Sequence, residues 1–257
     1  MRYYLLKFVL IINLLSCSVD DLPGCEGNGN PDEICKEYQY LDGDYNGLNN
    51  YFYDESGSVL ISKITLSSSG GEEGSVFYNY DSVNRLSNVE YVDGLSKVVR
   101  VVSYKYNYNG SLIEETNSID FDRKTNYNYV NGFLKSINYF ENGILVSVDS
   151  LEYFTNSKDL YRTLKYIKGS IYSVVYNEWF GSDVLKESTF DAIGTKTSSL
   201  VSRYNSAGLL INKIFYTSGG SVKVKEFYIY SENNLMEISK EDGQGNVFEK
   251  LVYQRFR

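Results

Sequence analysis

The side chains with the clearest metal-binding chemistry stand early in the chain, in a D-x-D-x-N-G motif at positions 42–47. Oxygen ligands at alternate positions followed by a glycine are typical of the first half of a calcium-binding loop, and Asp42, Asp44 and Asn46 are the candidate ligands. The twelfth position of a full loop should carry a bidentate acid, but Tyr53 stands there. The alternative is a turn rich in Asp and Asn before the first hairpin. Calcium is the only cofactor that the sequence suggests.

The chain contains no histidine, which removes the commonest general base and the commonest metal ligand. Serine triads, zinc hydrolase motifs and haem ligation by histidine are thereby excluded. The acid pairs Glu72-Glu73, Glu114-Glu115 and Glu241-Asp242 stand near turns. Adjacent residues of a strand point to opposite faces, so these pairs are poor candidates for cooperating catalytic carboxylates. We therefore expect no catalytic residues and a protein that is not an enzyme.

Residues 1–16 have the pattern of a signal peptide. The segment reads MRYYLLKFVLIINLLS, a basic start followed by an apolar core that is too short for a permanent membrane span. It ends in Leu14-Leu15-Ser16-Cys17, which resembles a bacterial lipobox, in which the cysteine is acylated and becomes the new N-terminus. Cys17 is therefore the predicted lipidation site. The alternative is an ordinary signal peptide with an incidental cysteine.

Residues 17–37 are predicted to form a lipidated, flexible tether. Positions 18–21, SVDD, resemble the acidic export signal of Bacteroidota lipoproteins, which directs them to the outside of the outer membrane. An exported protein with two further cysteines favours a disulfide, here between Cys25 and Cys35. A metal site on these two thiols is disfavoured because the chain has no histidine. We expect an outer-membrane location, with the lipid anchor holding the protein on the cell exterior.

The elements that position these residues are indicated by a repeat. Aromatic residues recur at steps of 23 to 27 residues (129 − 106 = 23 and 80 − 53 = 27 are the extremes), and a constant period of this length is typical of repeat architectures. A turn-type segment rich in Asp, Asn and Gly follows each aromatic residue, and an aliphatic residue then starts the next strand. The ladder consists of Tyr53, Tyr80, Tyr106, Tyr129, Tyr153, Trp179, Tyr204 and Tyr230.

Each unit holds two strands and two turns, which predicts an all-β fold. We expect about eight units and about sixteen antiparallel strands in one hairpin meander over residues 38–257, coiling into a twisted, wrapped sheet. Along residues 98–108 the alternation gives one aromatic face and one mixed face, and the aromatic face is expected to point inwards. Residues 171–180 are apolar on both faces, so this strand is predicted to be covered on both sides. Trp179 is expected in the core.

The units resemble the YD repeats of the RHS family. The closest stretches are Tyr80-Asp81 with Arg85-Leu86, and the segments 190–194, 204–209 and 242–246. The resemblance covers residues 38–257 and implies a spiralling β-sheet shell in an exported protein, without implying an activity. Most copies lack the arginine before the leucine. The terminal proteolytic core and the cargo domain of the family's large toxins are not recognisable.

The formal net charge is −8, and an acidic chain argues against nucleic acid as a partner. The favoured function is a non-enzymatic binding or scaffold module on the cell surface, an accessory subunit bound to an outer-membrane or cell-surface protein. One alternative is a glycan-binding accessory lipoprotein, which predicts solvent-facing Tyr or Trp side chains in a row. Another is an immunity-type protein that neutralises a secreted toxin, since acidic charge suits a basic toxin.

Overall fold

The computed structural model describes residues 25, 29–30, 33–57, 59–118, 122–154 and 159–256. These residues form eighteen β-strands joined by turns, and none of them forms a helix long and apolar enough to cross a membrane. The strands are β1 (Ile34–Leu41), β2 (Asp44–Tyr53), β3 (Leu60–Ser67), β4 (Glu72–Tyr80), β5 (Leu86–Asp93), β6 (Val98–Tyr106), β7 (Leu112–Ser118), β8 (Asp122–Val130), β9 (Phe133–Glu141), β10 (Ile144–Tyr153), β11 (Leu160–Ile167), β12 (Ser170–Phe180), β13 (Val184–Asp191), β14 (Lys196–Tyr204), β15 (Leu210–Thr217), β16 (Val222–Ser231), β17 (Asn234–Asp242) and β18 (Val247–Arg255).

The strands close into a barrel. Each strand pairs antiparallel with the next one in the chain, and β18 pairs with β1 over a register that runs from Ile34↔Arg255 to Leu41↔Glu249. The predicted all-β hairpin meander is confirmed. The predicted open, wrapped sheet was wrong, because the first and last strands satisfy each other's backbone groups and leave no sheet edge.

Closure also overturns the resemblance to YD repeats. A spiralling shell would leave the last strand as an edge, whereas β18 here lies between β17 and β1. The turn chemistry that suggested the resemblance serves any meander of tight hairpins. The expected sixteen strands are eighteen for two reasons. Strand β1 begins at Ile34, ahead of the domain start expected at Tyr38, and β18 ends in Arg255, which is not aromatic and so was not part of the predicted ladder.

Six turns of the described residues share one hydrogen-bond pattern, three of them after ladder residues and three after odd-numbered strands. In the turn after β4, the carboxylate of Asp81 accepts from the backbone N–H groups of Val83 and Arg85, both at 2.9 Å, and Asn84 adopts a positive φ of 59°. Asp and Asn suit this role because their short side chains bond the backbone two and four residues ahead, and Asn tolerates the left-handed region. The same side-chain pattern recurs at Asp93, Asn107, Asp191, Asn205 and Asp242.

The two ends of the barrel differ in what they carry. We call the upper end the one with the turns from even-numbered to odd-numbered strands. Strand β1 starts there and β18 finishes there, and the backbone N–H of Asn30 donates to the carbonyl of Gly57 in the turn after β2 at 3.2 Å. The lower end carries the turns from odd-numbered to even-numbered strands. The chain therefore enters and leaves the barrel at the upper end.

The tyrosine-bearing face of the sheet is the inner wall. Tyr78 lies near the upper end of β4. The residue paired with it on β5, the partner of that residue on β6, and so on through β9 lead to Ile144, the first residue of β10, at the lower end. The pairing direction thus descends from the upper end to the lower end as the strand number rises. Strands of a closed barrel tilt in a right-handed sense because the L-backbone twists that way. In a barrel with this tilt, a pairing direction that descends as the strand number rises requires Tyr78 and Tyr80 to point into the lumen. The alternate residues then point outwards.

The barrel is a single layer of sheet. Among the described residues, the buried hydrophobic side chains are Cys35, Tyr38, Val89, Val102, Leu164, Val252, Tyr253 and Phe256. A ring of this strand number encloses more space than one layer of inward side chains fills, and the described residues provide no strand or helix that crosses the lumen. Both walls therefore contact solvent over much of their area.

The single layer explains two incorrect expectations. The segment 171–180 was predicted to be covered on both sides, but Ile171 is 41% exposed and Phe180 is 54% exposed. Trp179 was expected in the core and is 43% exposed at the upper end of β12. Apolar residues on both faces of a strand predict cover only where a second layer exists, and the barrel supplies none over this strand.

Candidate functional site

The aromatic ladder forms a ring at the upper end of the lumen and fastens each hairpin to the previous one. The hydroxyl of Tyr80 on β4 reaches the start of the adjacent strand β3 and donates to the carbonyl of Leu60 at 2.8 Å. Four other ladder tyrosines donate in the same way over 19 or 20 residues at 2.8–2.9 Å: Tyr53 to Ile34, Tyr106 to Leu86, Tyr153 to Leu134 and Tyr230 to Leu210. These hydroxyls are occupied by the wall itself, so the ring is structural.

Arg255 completes this ring at the end of β18. It stands 25 residues after Tyr230 (255 − 230 = 25), and its Nη2 donates to the carbonyl of Leu235 at 3.3 Å, again over 20 residues. The guanidinium thus replaces a tyrosine hydroxyl as the donor. The period of the ladder was the signal that pointed to Arg255, but the search for aromatic residues passed over it.

We predict that Tyr80→Phe lowers the free energy of unfolding by about 1 kcal/mol, because it removes one hydrogen bond and leaves the ring in place. Urea unfolding followed by circular dichroism measures the change. Tyr108→Phe is the matched control, since Tyr108 is 96% exposed at a turn and should have no effect beyond error. Equal urea midpoints for the Tyr80→Phe variant and the unchanged protein would show that this hydrogen bond does not contribute to stability.

A second level of inward side chains lies below the ladder ring, two residues earlier along the even-numbered strands. We call its tyrosines and acids the tyrosine–carboxylate belt. Its tyrosines line one side of the lumen, from β16 through the seam to β9, and its acids lie beside them on the same wall. The belt comprises Tyr51, Tyr78, Tyr104, Tyr127, Tyr139, Tyr228, Tyr253, Glu37, Glu115, Asp149 and Glu226. On the opposite side of the lumen, Asn177 and Ser202 occupy the equivalent positions of β12 and β14.

Hydroxyl groups of the belt bond to its carboxylates. Tyr139 donates to Asp149 at 3.0 Å, and Tyr228 donates to Glu226 at 2.8 Å. Phenol rings offer a flat apolar surface with a polar tip, and the neighbouring acids add acceptors. The belt can therefore hold a ligand that combines apolar faces with hydroxyl or amide groups. Sequence reasoning missed its acids, because only the register brings them beside the tyrosines.

Glu37 is the most heavily bonded acid of the belt and lies at the seam between β18, β1 and β2. Its carboxylate accepts from the amide of Asn49 at 2.6 Å, from the amide of Gln39 at 3.2 Å and from the hydroxyl of Tyr51 at 3.4 Å. Asn49 is only 3% exposed and also accepts from the hydroxyl of Thr65. This network links β1, β2 and β3, next to the pairing of β1 with β18 that closes the ring.

Burial on the inner wall changes the acidity of the belt. Desolvation, followed by the bond to Asp149, raises the pKa of Tyr139 to about 12. In the ladder ring, desolvation and the charge of Glu33 raise the pKa of Tyr53 to about 12. The pKa values of Tyr51, Tyr228 and Tyr253 are also raised, with desolvation as the largest cause and an acid of the belt as the next. These phenols stay neutral at physiological pH and act as hydrogen-bond donors.

The outer wall is polar and charged. Lys105 on β6 and Lys124 on β8 both pair with Glu114 on β7, the first at 2.6 Å, and the bond to Lys105 is the largest of the effects that lower the pKa of Glu114. Four further ion pairs lie on the outward-facing alternate residues: Arg162–Glu152, Lys186–Glu178, Lys250–Glu237 and Lys225–Glu241. Charged side chains thus occur on most of the circumference of the outer face.

The candidate calcium ligands lie on a hairpin. Asp42, with a φ of 50°, and Gly43 form the two-residue turn between β1 and β2, while Asp44 and Asn46 belong to β2. Within the described ranges there is no group of three or more His, Cys, Asp or Glu residues placed to hold a metal ion. Calcium binding by Asp42, Asp44 and Asn46 stays a prediction.

The predicted cysteine sites are placed as follows. Cys25 and Cys35 are joined by a disulfide with a Cα–Cα distance of 5.8 Å, which ties the segment before β1 to that strand. Cys17 lies outside the described residues, so lipidation there stays a prediction. The acids Glu114 and Glu115 point to opposite walls, since Glu114 pairs with the outer lysines and Glu115 bonds Tyr127 in the belt.

No family model matches the chain, and no curated protein matches it. Among solved structures, a porin-like protein from Bacteroides uniformis ATCC 8492 aligns with a TM-score of 0.49 and 10% sequence identity, over 90% of this chain and 100% of that chain. A porin-like protein from Bacteroides vulgatus ATCC 8482 aligns with a TM-score of 0.34 and 10% identity, over 86% of this chain and 98% of that chain. Both TM-scores are below 0.5, so neither likeness carries an argument about this chain.

Proposed function

We propose that this chain is a lipid-anchored, non-enzymatic binding protein of the outer membrane, whose barrel stands outside the bilayer and takes up a ligand in its lumen. The distribution of side chains across the wall carries the proposal. Ion pairs lie on the outer face, where a membrane-spanning barrel would present apolar side chains. Phenol rings with neighbouring carboxylates line one side of the inner face, which also holds the ion pairs Arg123–Glu141 and Lys240–Glu249. The signal peptide and Cys17 supply the membrane attachment in this proposal.

The outer wall favours an aqueous setting for the barrel. A barrel that spans the outer membrane presents an apolar band about 25 Å tall to the lipid, and a charged side chain on the lipid face costs about 2–4 kcal/mol at the midplane. Here the outer face carries Lys105, Glu114 and Lys124 on the adjacent strands β6, β7 and β8. It also carries Glu152 on β10 and Arg162 on β11. A wall with this pattern is better solvated by water than by acyl chains.

Membrane fractionation tests this placement. The natural protein should partition with outer membranes, whereas a variant secreted behind a cleavable signal peptide that lacks a lipobox cysteine should be released in soluble, folded form. A barrel that spans the bilayer would stay in the membrane without the acyl chains. Retention of the anchorless variant in carbonate-washed membranes would therefore refute the proposal.

The belt favours a glycan as the ligand over a protein segment. Sugar rings present apolar C–H faces and many hydroxyls, which match phenol rings alternating with carboxylates and amides. The lumenal tyrosines remain partly exposed, with Tyr78, Tyr104 and Tyr127 in adjacent hairpins at the same level. This spacing supplies the row of solvent-facing rings that a glycan-binding protein requires.

A polysaccharide array probed with the anchorless barrel tests the ligand class. We expect binding that is lost in the Tyr104→Ala variant and kept in the Phe77→Ala variant, which removes a ring of the outer wall that is 43% exposed. Circular dichroism verifies that both variants fold. Equal binding by both variants would place the contact outside the lumen.

A further inference from the structure

Cys25, the described residue nearest to Cys17 in the chain, lies at the upper end of the barrel. The disulfide to Cys35 fixes Cys25 there, and Cys25 Sγ lies 3.1 Å from the carbonyl oxygen of Arg255 at the end of β18. Eight steps of chain separate Cys17 from Cys25 (25 − 17 = 8). At a maximum of about 3.6 Å per residue, they span at most about 29 Å.

The upper end exposes apolar side chains around most of its circumference. They stand in the turns and at the strand ends after five even-numbered strands and near the end of β16. We call this set the upper apolar rim. Its members and exposed fractions are Tyr108 (96%), Val83 (65%), Phe180 (54%), Val130 (53%), Ile229 (51%) and Phe154 (41%). Three of the six are aromatic, the class of side chain that favours the interface between lipid and water.

We propose that the upper apolar rim rests in the interfacial layer of a lipid bilayer, so that the lumen opens away from the membrane at the lower end. The inference rests on the proposed acylation of Cys17, which brings the bilayer within about 29 Å of this end. Partial insertion of turn tips buries apolar side chains, as amphipathic surface elements do.

The lower end is the competing surface, because it also exposes apolar residues such as Leu95 (89%), Ile193 (88%) and Ile144 (68%). Docking this end would invert the barrel above the membrane. A strand of nine residues is about 30 Å long, and its tilt of about 40° leaves roughly 23 Å along the axis before the turns are added. The tether would then be stretched almost to its limit, which costs most of its conformational entropy.

The charges beside the rim indicate the kind of lipid surface. Asp81, Asp183 and Glu232 stand in the same turns, with Arg85 bonded to Asp81 and Lys186 bonded to Glu178. Among the described residues of these turns, acids and bases are roughly balanced, which gives anionic lipids little to bind. We expect docking to depend on apolar contact, to occur on zwitterionic phosphatidylcholine, and to be insensitive to salt.

Quenching by brominated lipid tests the orientation in the full lipidated protein. Trp179 is the only tryptophan of the sequence, and the Trp179→Phe variant gives a background without tryptophan fluorescence. Into it we place Tyr108→Trp at the upper rim or Leu95→Trp at the lower end, and reconstitute each protein into phosphatidylcholine vesicles with brominated acyl chains. The Tyr108→Trp protein should be quenched several-fold more than the Leu95→Trp protein, at low and at high salt.

The outcomes separate the inference from the proposal on which it rests. A protein that does not float with vesicles has no lipid anchor, and the proposed function fails. Flotation with no quenching at either site means that the barrel hangs free on its tether. Stronger quenching of Leu95→Trp means that the lower end docks. A blue shift of the Tyr108→Trp emission without lipid means that a second copy covers the rim. Each of the last three results overturns the inference.

Discussion

Glu37→Ala is expected to lower the free energy of unfolding by about 3 kcal/mol, because it leaves several buried or half-buried donors without an acceptor. The carboxylate accepts from Asn49, Gln39 and Tyr51, and Asn49 is almost fully buried. The loss falls on β1, whose pairing with β18 closes the ring. Urea unfolding followed by circular dichroism should show a clearly lower midpoint.

Two further variants isolate the cause. Glu37→Gln keeps the size and one acceptor oxygen, so we expect roughly half of the loss seen with Glu37→Ala. Glu73→Ala removes an exposed acid on β4 and should leave the midpoint unchanged. If the Glu37→Ala protein unfolds at the same urea concentration as the natural protein, the seam network does not stabilise closure.

The barrel is expected to unfold cooperatively in alkali, between about pH 10 and pH 12. Desolvation raises the pKa of Tyr53 and Tyr139 to about 12, and the pKa values of several other belt and ladder tyrosines are also raised. An unfolded tyrosine releases its proton near pH 10, whereas these folded phenols still hold theirs. The folded state binds more protons in this window, so the free energy of unfolding falls as the pH rises. Below pH 10 the contribution is fully present.

Absorbance of tyrosinate and circular dichroism, recorded on the same alkaline titration, measure this effect. Ionisation should coincide with the loss of β-structure in one step. High salt serves as the control, because it screens general repulsion in a chain whose net charge is already −8 but leaves desolvation in place. A transition that disappears in high salt, or ionisation complete near pH 10 with the fold intact, contradicts the burial of these rings.

The strands were predictable because their signals are local. The ladder residues and the turn segments rich in Asp, Asn and Gly that follow them predict hairpins. In the turn after β4, Asp81 accepts the backbone hydrogen bonds and Asn84 adopts the positive φ that these residue types favour. Closure was not predictable from the same signals. It depends on the pairing of Ile34 with Arg255, which are separated by 255 − 34 = 221 residues, and no local pattern records that contact.

The belt shows the same division between local and distant information. The alternation along β6 correctly groups Tyr104 with Tyr106 on one face. The acids beside the tyrosines come from other strands, as Glu37 does for Tyr51 and Asp149 for Tyr139, and only the register sets these pairs. Trp179 was misplaced for a related reason, since its type suggests a core and the sequence does not state how many layers the sheet has.

Closure between the first and last strands has a consequence for the order of folding. Seventeen of the eighteen strand pairings join neighbours in the chain, so hairpins can form and extend one after another with little loop-closure entropy. The pairing of β1 with β18 alone requires the whole chain, and until it forms both strands remain open edges. The growing sheet can therefore pair with wrong partners until β18 forms its pairing with β1, and β18 decides when that exposure ends.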